Sequence, residues 1–338
     1  MASQKVTIKD IAKLAGVSTA TVSFVINGRE GVSKATKERI QKIVKDMDFQ
    51  PSAASQRLVL RKSFNIALIY PPSASPFKDF FYYDVASGLT EELSLYNYNV
   101  VFAPLVESGN EYVLPNIVKR QDADGAILLY DAPANVLDKL DEIGIPYVLV
   151  DWHQDGKDRP YINSDIEQAI HNAVMYLIDK GHTQIAYLGS DQLPYYYLRC
   201  FQGYQNAMFN AQLPIYPGWI NNSAHDAAAT FNIIKKLMSL QMPPTAICGM
   251  RDMCAIFGIH AATELGISMP EQLSFISIDD ISVSRYVYPK LTTVSYNKNE
   301  LSKTAADMLM RMINGESVDS VVIRCDTIKE RQSVATIK

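Results

Sequence analysis

Beyond Ser63, short apolar runs alternate with amphipathic helical stretches, and this alternation constrains the fold more than any other feature of the sequence. Such a pattern is typical of parallel sheets that helices cover on both faces. Seven runs have the length and composition of buried strands: NIALIY, NVVFAPL, GAILLY, PYVLVD, QIAYLG, TAICGM and LSFISID. That many units divide naturally into two doubly wound α/β lobes, and ligands of such sheets bind beyond the carboxyl ends of the strands.

The composition bounds the class of protein. The chain has 338 residues, of which 48% are apolar and 20% charged, enough for two or three globular units. No apolar run approaches 18 residues and no charged-then-apolar leader follows Met1, so we expect a cytoplasmic chain without a membrane span. The cysteines, Cys200, Cys248, Cys254 and Cys325, lack C-x-x-C spacing, which favours buried thiols over a metal site.

Charge is segregated along the chain. Residues 1–62 contain 12 Lys and Arg against 5 Asp and Glu, a net charge of +7, whereas the remainder carries −11. A basic N-terminal segment on an acidic body is typical of a module that faces a polyanion, although a solvated basic surface with no partner has the same composition.

The segment TIKDIAKLAGVSTATVSFVINGR predicts two short helices joined by a tight turn. Thr7 and Asp10 have the spacing of a capping box, and Gly16 suits the left-handed turn that ends a helix. Ser18 can cap the second helix, which ends at Asn27. The two helices together have the form of a helix-turn-helix.

A third helix begins after the cap Ser33, and lysines cover the positions outside its apolar stripe. In a helix-turn-helix, the second helix enters the major groove of double-stranded DNA and its outward side chains reach the base edges. The expected contacts from this helix are Thr19, Ala20, Thr21, Ser23 and Phe24, of which Thr21 and Ser23 could instead bond phosphates. Residues at the helix ends are expected DNA contacts as well: Thr7, Ser18, Asn27 and Ser33. A helical bundle that binds no DNA would show the same helical pattern.

Four segments resemble the lactose-repressor (LacI/GalR) family of bacterial transcription regulators: VTIKDIAKLAGVSTATVSFVINGREGVSKATKERI, YLIDKGHTQIAYLGS, GISMPEQLSFISIDDI and YPKLTTVSYNKNELSKTAADML. The resemblance spans nearly the whole chain. It implies a helix-turn-helix headpiece (1–50), a hinge helix and linker (51–62), and a two-lobed α/β effector domain like a type I periplasmic sugar-binding protein (63–338). One lobe would comprise about 63–162 plus 293–322, and the other about 163–292 plus 323–338.

The resemblance also covers the hinge, FQPSAASQRLVLRKS. It implies a helix that orders on DNA with Arg57 and Leu58 at the duplex, where Leu58 enters the minor groove between base steps. The alternative is that Leu58 packs the linker against the body. Phe24 stands where many family members carry a polar or basic base-reading residue, so we expect an unusual operator, and an aromatic ring suits the methyl group of thymine.

By the same resemblance, nine residues are expected at an effector cleft between the lobes: Asp79, Phe81, Tyr82, Asp131, Asp151, Trp152, Arg199, Asp252 and Tyr296. Two positions depart from the family's pattern. Arg251 replaces the usual Asn before Asp252, and Arg199 lies one residue, about 100° around a helix, from the usual effector-binding arginine. Several residues have other suitable roles: Asp79 as a helix cap, Asp151 as a cap at the sheet end, Trp152 at a core edge, and Arg199 in a surface ion pair.

The cleft residues are mainly carboxylates and aromatics. Carboxylates accept hydrogen bonds from hydroxyl groups and aromatic faces stack on apolar ring faces, so this set favours a neutral sugar. A sugar phosphate, or a purine or nucleoside, stays open as an alternative. We expect no cofactor, and we expect no enzyme because H-E-x-x-H, G-x-S-x-G and phosphate-loop motifs are absent from the sequence. A transport-type sugar-binding protein would lack the DNA-binding head.

The sequence therefore predicts a DNA-binding transcription regulator, a repressor, that acts as a homodimer on a near-palindromic operator. An effector that changes the angle between the lobes would change DNA affinity, and operator binding would change effector affinity by the same factor. No leucine heptad follows the last helix, so we expect a dimer and not a tetramer. The direction of the effector's action, and the use of a phosphocarrier coregulator, stay open.

Overall fold

The computed structural model describes residues 6–26, 31–47, 49, 62–109, 111–152, 158–191 and 194–337. The chain divides into two compact units, Met1–Phe64 and Asn65–Lys338. The expected hinge and the expected DNA contacts Asn27, Arg57 and Leu58 lie outside the described residues.

Three helices form the described part of the N-terminal unit: α1 (Ile8–Ala15), α2 (Thr19–Ile26) and α3 (Lys34–Asp46). Gly16 ends α1 in the left-handed conformation, with φ 64°, as its lack of a side chain allows. The short connection that follows is the tight turn predicted from the sequence. Ile11, Val22 and Ile40, one from each helix, are fully buried and close a single small core.

The described part of the larger unit alternates strands and helices along the chain. The strands are β1 (Asn65–Tyr70), β2 (Asn99–Pro104), β3 (Val106–Ser108), β4 (Glu111–Val113), β5 (Gly125–Leu129), β6 (Tyr147–Val150), β7 (Tyr161–Ser164), β8 (Ile185–Leu188), β9 (Ile220–Asn221), β10 (Ala246–Gly249), β11 (Ser274–Asp279), β12 (Thr292–Ser295), β13 (Val321–Ile323) and β14 (Thr327–Lys329). The helices are α4 (Phe80–Leu95), α5 (Asn116–Lys119), α6 (Ala134–Ile143), α7 (Ile166–Asp179), α8 (Pro194–Asn210), α9 (Ala227–Met238), α10 (Asp252–Glu264) and α11 (Lys298–Ile313). Alternation of this kind is what the apolar runs predicted.

Within the described residues, the strands form two six-stranded sheets and one hairpin, β3–β4. The first sheet has the order β13-β7-β6-β5-β1-β2 and is parallel throughout. The second has the order β14-β12-β11-β10-β8-β9, and its edge strand β14 is antiparallel to β12. Parallel strands point their carboxyl ends to one edge, so each sheet has a defined ligand-binding edge.

Each sheet is the centre of a lobe. In the part that the structure describes, the chain crosses from one lobe to the other at three places: between β7 and α7, between β12 and α11, and between β13 and β14. Helix α11 packs on α4 and the first sheet, and α7 packs on α8 and the second sheet. Each lobe has its own apolar core, and full burial of a side chain such as Leu149 or Ile247 contributes about 1.5–3 kcal/mol. Of the described helices, none combines the length and apolarity needed to cross a membrane.

Candidate DNA interface and effector cavity

Helix α2 presents an uncharged face to solvent. Thr19, Ala20 and Phe24 are exposed, Phe24 by 41%, and Thr21 and Ser23 are partly buried. Helix α2 carries no charged side chain, whereas its neighbours α1 and α3 supply the basic residues Lys9, Lys13, Lys34, Lys37, Arg39, Lys42 and Lys45. The basic side chains of α1 and α3, which suit phosphates, are therefore separate from the uncharged face of α2, which suits base edges.

Thr7, Ser18 and Ser33 begin the three helices of the N-terminal unit. The Asp10 carboxylate accepts hydrogen bonds from the backbone N–H and the hydroxyl of Thr7, at 2.9 and 2.7 Å, and these bonds lower the pKa of Asp10. Ser18 Oγ accepts from the backbone N–H of Thr21 at 3.1 Å, and Ser33 Oγ accepts from that of Thr36 at 3.3 Å. The structure therefore shows these residues as helix caps, and DNA contact by them stays a prediction.

A small cavity lies between the two lobes of the larger unit and leaves only about 10 Å³ for the centre of a water molecule. Seven residues line it: Phe81, Tyr82, Tyr130, Asp151, Tyr196, Arg251 and Asp279. Tyr130 follows β5, Asp151 follows β6, Arg251 follows β10 and Asp279 ends β11, so strands of both sheets aim their carboxyl ends at this space. This is the place where doubly wound sheets bind ligands.

Arg251 is the cation among the lining residues. Its Nη2 donates to both carboxylate oxygens of Asp79, at 2.9 and 3.1 Å, and its Nε donates to Asp279 Oδ2 at 3.4 Å. Asp79 also caps α4, because its Oδ1 accepts from the backbone N–H groups of Phe81 and Tyr82 at 2.9 and 3.3 Å. The ion pair thus joins a helix of the first lobe to the loop after β10 in the second.

Two other carboxylates of the cavity are buried. The Tyr82 hydroxyl donates to Asp151 Oδ2 at 2.5 Å, and burial raises the pKa of Tyr82 well above its ordinary value. Burial also raises the pKa of Asp279 to about 8, although Arg251 acts in the opposite direction. Asp279 is therefore a carboxyl group that holds its proton near neutral pH.

This raised pKa predicts a pH dependence of stability. Since the folded pKa lies above the ordinary 3.8, the folded state binds the proton more tightly than the unfolded chain. The resulting stabilisation is complete below about pH 4 and is lost as the pH rises through 8. We expect the free energy of unfolding in urea to fall by roughly 2 kcal/mol between pH 6 and pH 8, at about 1.4 kcal/mol per pKa unit. Asp279→Asn should lack this slope, and an equal slope in both proteins would contradict the assignment.

Three cavity residues have their backbone in the left-handed region: Tyr130 at φ 64°, Asp151 at 61° and Asp279 at 118°. Non-glycine residues in this region cost of order 1–3 kcal/mol each and persist where the surrounding structure imposes them. Their coincidence at strand ends around one cavity makes this cavity the candidate functional site.

The structure places three of the nine expected cleft residues in the cavity lining. Phe81, Tyr82 and Asp151 line the cavity, and Asp79 reaches it through Arg251. Tyr296 lies behind the lining, where its hydroxyl shares a 2.9 Å hydrogen bond with that of Tyr196 and its ring packs edge-on against Phe81 at 5.5 Å.

Asp252 has a different place from the one expected. It is fully buried, and its carboxylate accepts hydrogen bonds from Ser277 Oγ and Thr293 Oγ1, both at 2.6 Å, from the Ile281 N–H at 2.9 Å, and from Ser284 Oγ. Burial raises the pKa of Asp252, and these four bonds lower it. The expectation that Asp252 lines the cavity is corrected: its oxygens are engaged in holding the segment between β11 and β12.

Three further residues lie outside the cavity lining. Trp152 is 5% exposed and packs in the core of the first lobe, its ring 5.8 Å from that of Tyr161. Arg199 is 50% exposed and pairs with Glu167 at 3.3 Å, as its rotation around α8 favours. Asp131 follows β5 but is not part of the lining, where Tyr130 takes the position at the strand end.

The sequence interpretation missed four lining residues: Tyr130, Tyr196, Arg251 and Asp279. Three of them end or follow strand-like apolar runs, so the rule that ligands bind beyond strand ends could have found them. Tyr196 gives no such signal, because it lies in the first turn of α8.

A helix-turn-helix unit joined to a two-lobed α/β unit with a cavity at the strand ends defines a class, the ligand-responsive DNA-binding regulators. Residues 7–52 match the family model of bacterial regulatory proteins of the lacI family, and residues 174–334 match that of the periplasmic binding protein-like domain. The chain belongs to the LacI family and is a DNA-binding transcriptional regulator.

The relatives cover the whole chain. The ribose operon repressor of Haemophilus influenzae is 30% identical over 336 residues, which are 98% of this chain and 99% of that protein. Catabolite control protein A of Priestia megaterium is 28% identical over 333 residues, 97% of this chain and 99% of that one. The Lac repressor dimer bound to operator and the anti-inducer ONPF has the same fold, with a TM-score of 0.78 over 98% of this chain and 100% of that one at 21% identity. Each of these relatives is named as a regulator or control protein.

Proposed function

We propose that this regulator is a repressor that binds its operator as a homodimer, and that a neutral sugar in the cavity sets its operator affinity. The headpiece would comprise 1–50, the hinge and linker 51–62, and the sensor 63–338. The cavity between the lobes carries this proposal, because a ligand there contacts the strand ends of both sheets at once.

The lining favours hydroxyl groups on the ligand. Asp151 and Asp279 offer carboxyl oxygens. Aromatic faces come from Phe81, Tyr82 and Tyr130, and the two tyrosines also carry hydroxyl groups. A sugar phosphate is less suited, since the guanidinium of Arg251 is already paired with the Asp79 carboxylate and also donates to the carboxyl group of Asp279. The name of the ribose operon repressor supports a sugar.

A purine or nucleoside is the second candidate. Four aromatic residues line the cavity, Phe81, Tyr82, Tyr130 and Tyr196, and aromatic rings stack on a planar base. The carboxyl groups of Asp151 and Asp279 would accept from the amino group of such a base.

The homodimer is supported by the structural relative, which is a dimer bound to operator. Exposed aromatic side chains gather on the first lobe, where the rings of Phe77 and Phe102 lie 5.1 Å apart and are 70% and 37% exposed. Phe80 and Tyr83 on α4 are exposed as well. Apolar surface of this kind is typical of a surface that another copy covers.

A thermal-shift screen of the full chain tests the effector. The panel holds pentoses, hexoses, disaccharides, sugar phosphates, nucleosides and purines. A ligand at a hundred times its dissociation constant adds about 2.7 kcal/mol of stability, enough for a shift of a few degrees. We expect a neutral sugar to raise the melting temperature of the wild type and of Arg199→Gln, and to lose this effect in Asp151→Asn.

Two outcomes would overturn the proposed effector. A shift by nucleosides or purines alone would replace the sugar with the second candidate. A sugar that shifts Asp151→Asn as much as the wild type would place its site outside this cavity.

A further inference from the structure

The Arg251 guanidinium connects the two lobes across the cavity. Its Nη2 contacts both oxygens of Asp79, at the start of α4 in the first lobe, while Arg251 itself precedes α10 in the second. Neither residue belongs to a segment in which the chain crosses between the lobes. The ion pair is therefore a non-covalent link between the lobes, separate from the crossovers.

The surroundings of this ion pair favour a defined geometry. Asp79 cannot turn freely, because its Oδ1 is held by two backbone N–H groups at the start of α4. Arg251 lies 6.0 Å above the ring of Tyr196 and also donates to Asp279, which is 3% exposed. Arg251 and Asp79 are 18% and 19% exposed, so water screens their attraction only in part. A mostly buried contact between a guanidinium and a carboxylate is charge-assisted and therefore stronger than a hydrogen bond between neutral groups.

The cavity is also smaller than a ligand site needs. Its volume is only about 10 Å³, whereas small-molecule sites typically measure about 300–1,000 Å³. Arg251 forms part of its wall, together with the two carboxylates that a hydroxylated ligand would use. When the guanidinium moves, room for a ligand and the acceptor oxygens of Asp279 therefore become available together.

We propose that Arg251 is an ionic latch, which holds the two lobes together through Asp79 and competes with an effector for the carboxyl group of Asp279. The latch deepens the proposed function, because it regulates the same cavity. Its release is the step that opens the cavity to a ligand, and lobe closure then depends on this chain's own residues as well as on the effector.

Distances between the lobes test the latch directly in the full chain. Spin labels are attached at Lys119→Cys on the first lobe and Lys235→Cys on the second, both exposed, whereas the natural cysteines are buried. Arg251→Gln removes the charge, and Asp79→Asn removes the partner charge while keeping a good N-cap. The distance between the labels is measured by pulsed electron paramagnetic resonance. We expect each single variant to show a population at a longer distance that the wild type lacks, and the double variant to show the same distances as the single variants.

The control is Arg199→Gln, which removes an exposed ion pair on the second lobe and should leave the wild-type distances unchanged. Wild-type distances in both Arg251→Gln and Asp79→Asn would overturn the latch, and Asp79→Asn decides the matter if Arg251→Gln fails to fold.

A second test uses a sugar found in the thermal-shift screen. Its association rate should be higher with Arg251→Gln than with the wild type, and a lower rate would show that Arg251 contacts the ligand instead. The distance measurement needs no effector. A thermal-shift screen without a hit would therefore contradict the proposed sugar effector but not the latch.

Discussion

Phe24→Glu is expected to weaken operator binding at least about 100-fold while the headpiece stays folded. Phe24 is 41% exposed on the uncharged face of α2, so its replacement disturbs no core. A carboxylate there repels phosphates and removes an apolar contact to a base, and a good base contact contributes about 1–3 kcal/mol. Fluorescence anisotropy measures the loss, with a duplex that the wild type has selected from a random-sequence pool, at one fixed salt concentration.

The matched control is Leu14→Glu, which adds the same charge at an exposed position of α1. Leu14 is 60% exposed and lies outside α2, so we expect less than about a tenfold loss, from the change in net charge alone. Equal losses in the two variants would show that α2 does not face the bases. If Phe24 contacts a thymine methyl, replacing that thymine with uracil should weaken the wild type and leave Phe24→Ala unchanged.

Asp252→Ala is expected to lower the free energy of unfolding of the larger unit by about 4 kcal/mol. The substitution removes the acceptor of four hydrogen bonds, and each buried donor left without a partner costs about 1–3 kcal/mol. Urea unfolding followed by tryptophan fluorescence measures the change, because Trp152 and Trp219 both lie in this unit. Loss of effector response in this variant would then follow from instability.

Asp319→Ala is the control, since Asp319 is an exposed carboxylate and its removal should change stability by no more than about 0.5 kcal/mol. A contrary result would be an Asp252→Ala protein of wild-type stability that no longer binds the effector. That result would return Asp252 to the cavity and show that its hydrogen bonds contribute little to the fold.

The headpiece was predictable because its signals are local. Thr7, Ser18 and Ser33 cap helices through groups at most three residues away, and Gly16 ends a helix by its own backbone preference. Strand positions in the larger unit were predictable for a similar reason, since a buried parallel strand is a short continuous apolar run. These interactions leave a pattern in neighbouring residues.

The cavity was predictable only in outline. Ligand binding beyond the strand ends pointed to the right region, and Phe81, Tyr82 and Asp151 are in the lining. The sequence did not predict that Asp252 lies outside the cavity lining. Its carboxylate is bound by the hydroxyl groups of Ser277 and Thr293, and no pattern in the residues near Asp252 indicates these partners. Trp152 packs against Tyr161 in the core, which is the alternative role predicted for it from the sequence.

The sequence by itself determined a helix-turn-helix head, two doubly wound lobes and the edge of the sheets at which a ligand binds, because capping and apolar periodicity act over a few residues. Only the tertiary structure decided which charged side chains meet in the cavity. Asp79 and Arg251 are 172 positions apart, and their ion pair exists because folding aims the start of α4 and the loop after β10 at the same space. Burial and electrostatics depend on every group that surrounds a charge, so they are properties of the folded chain.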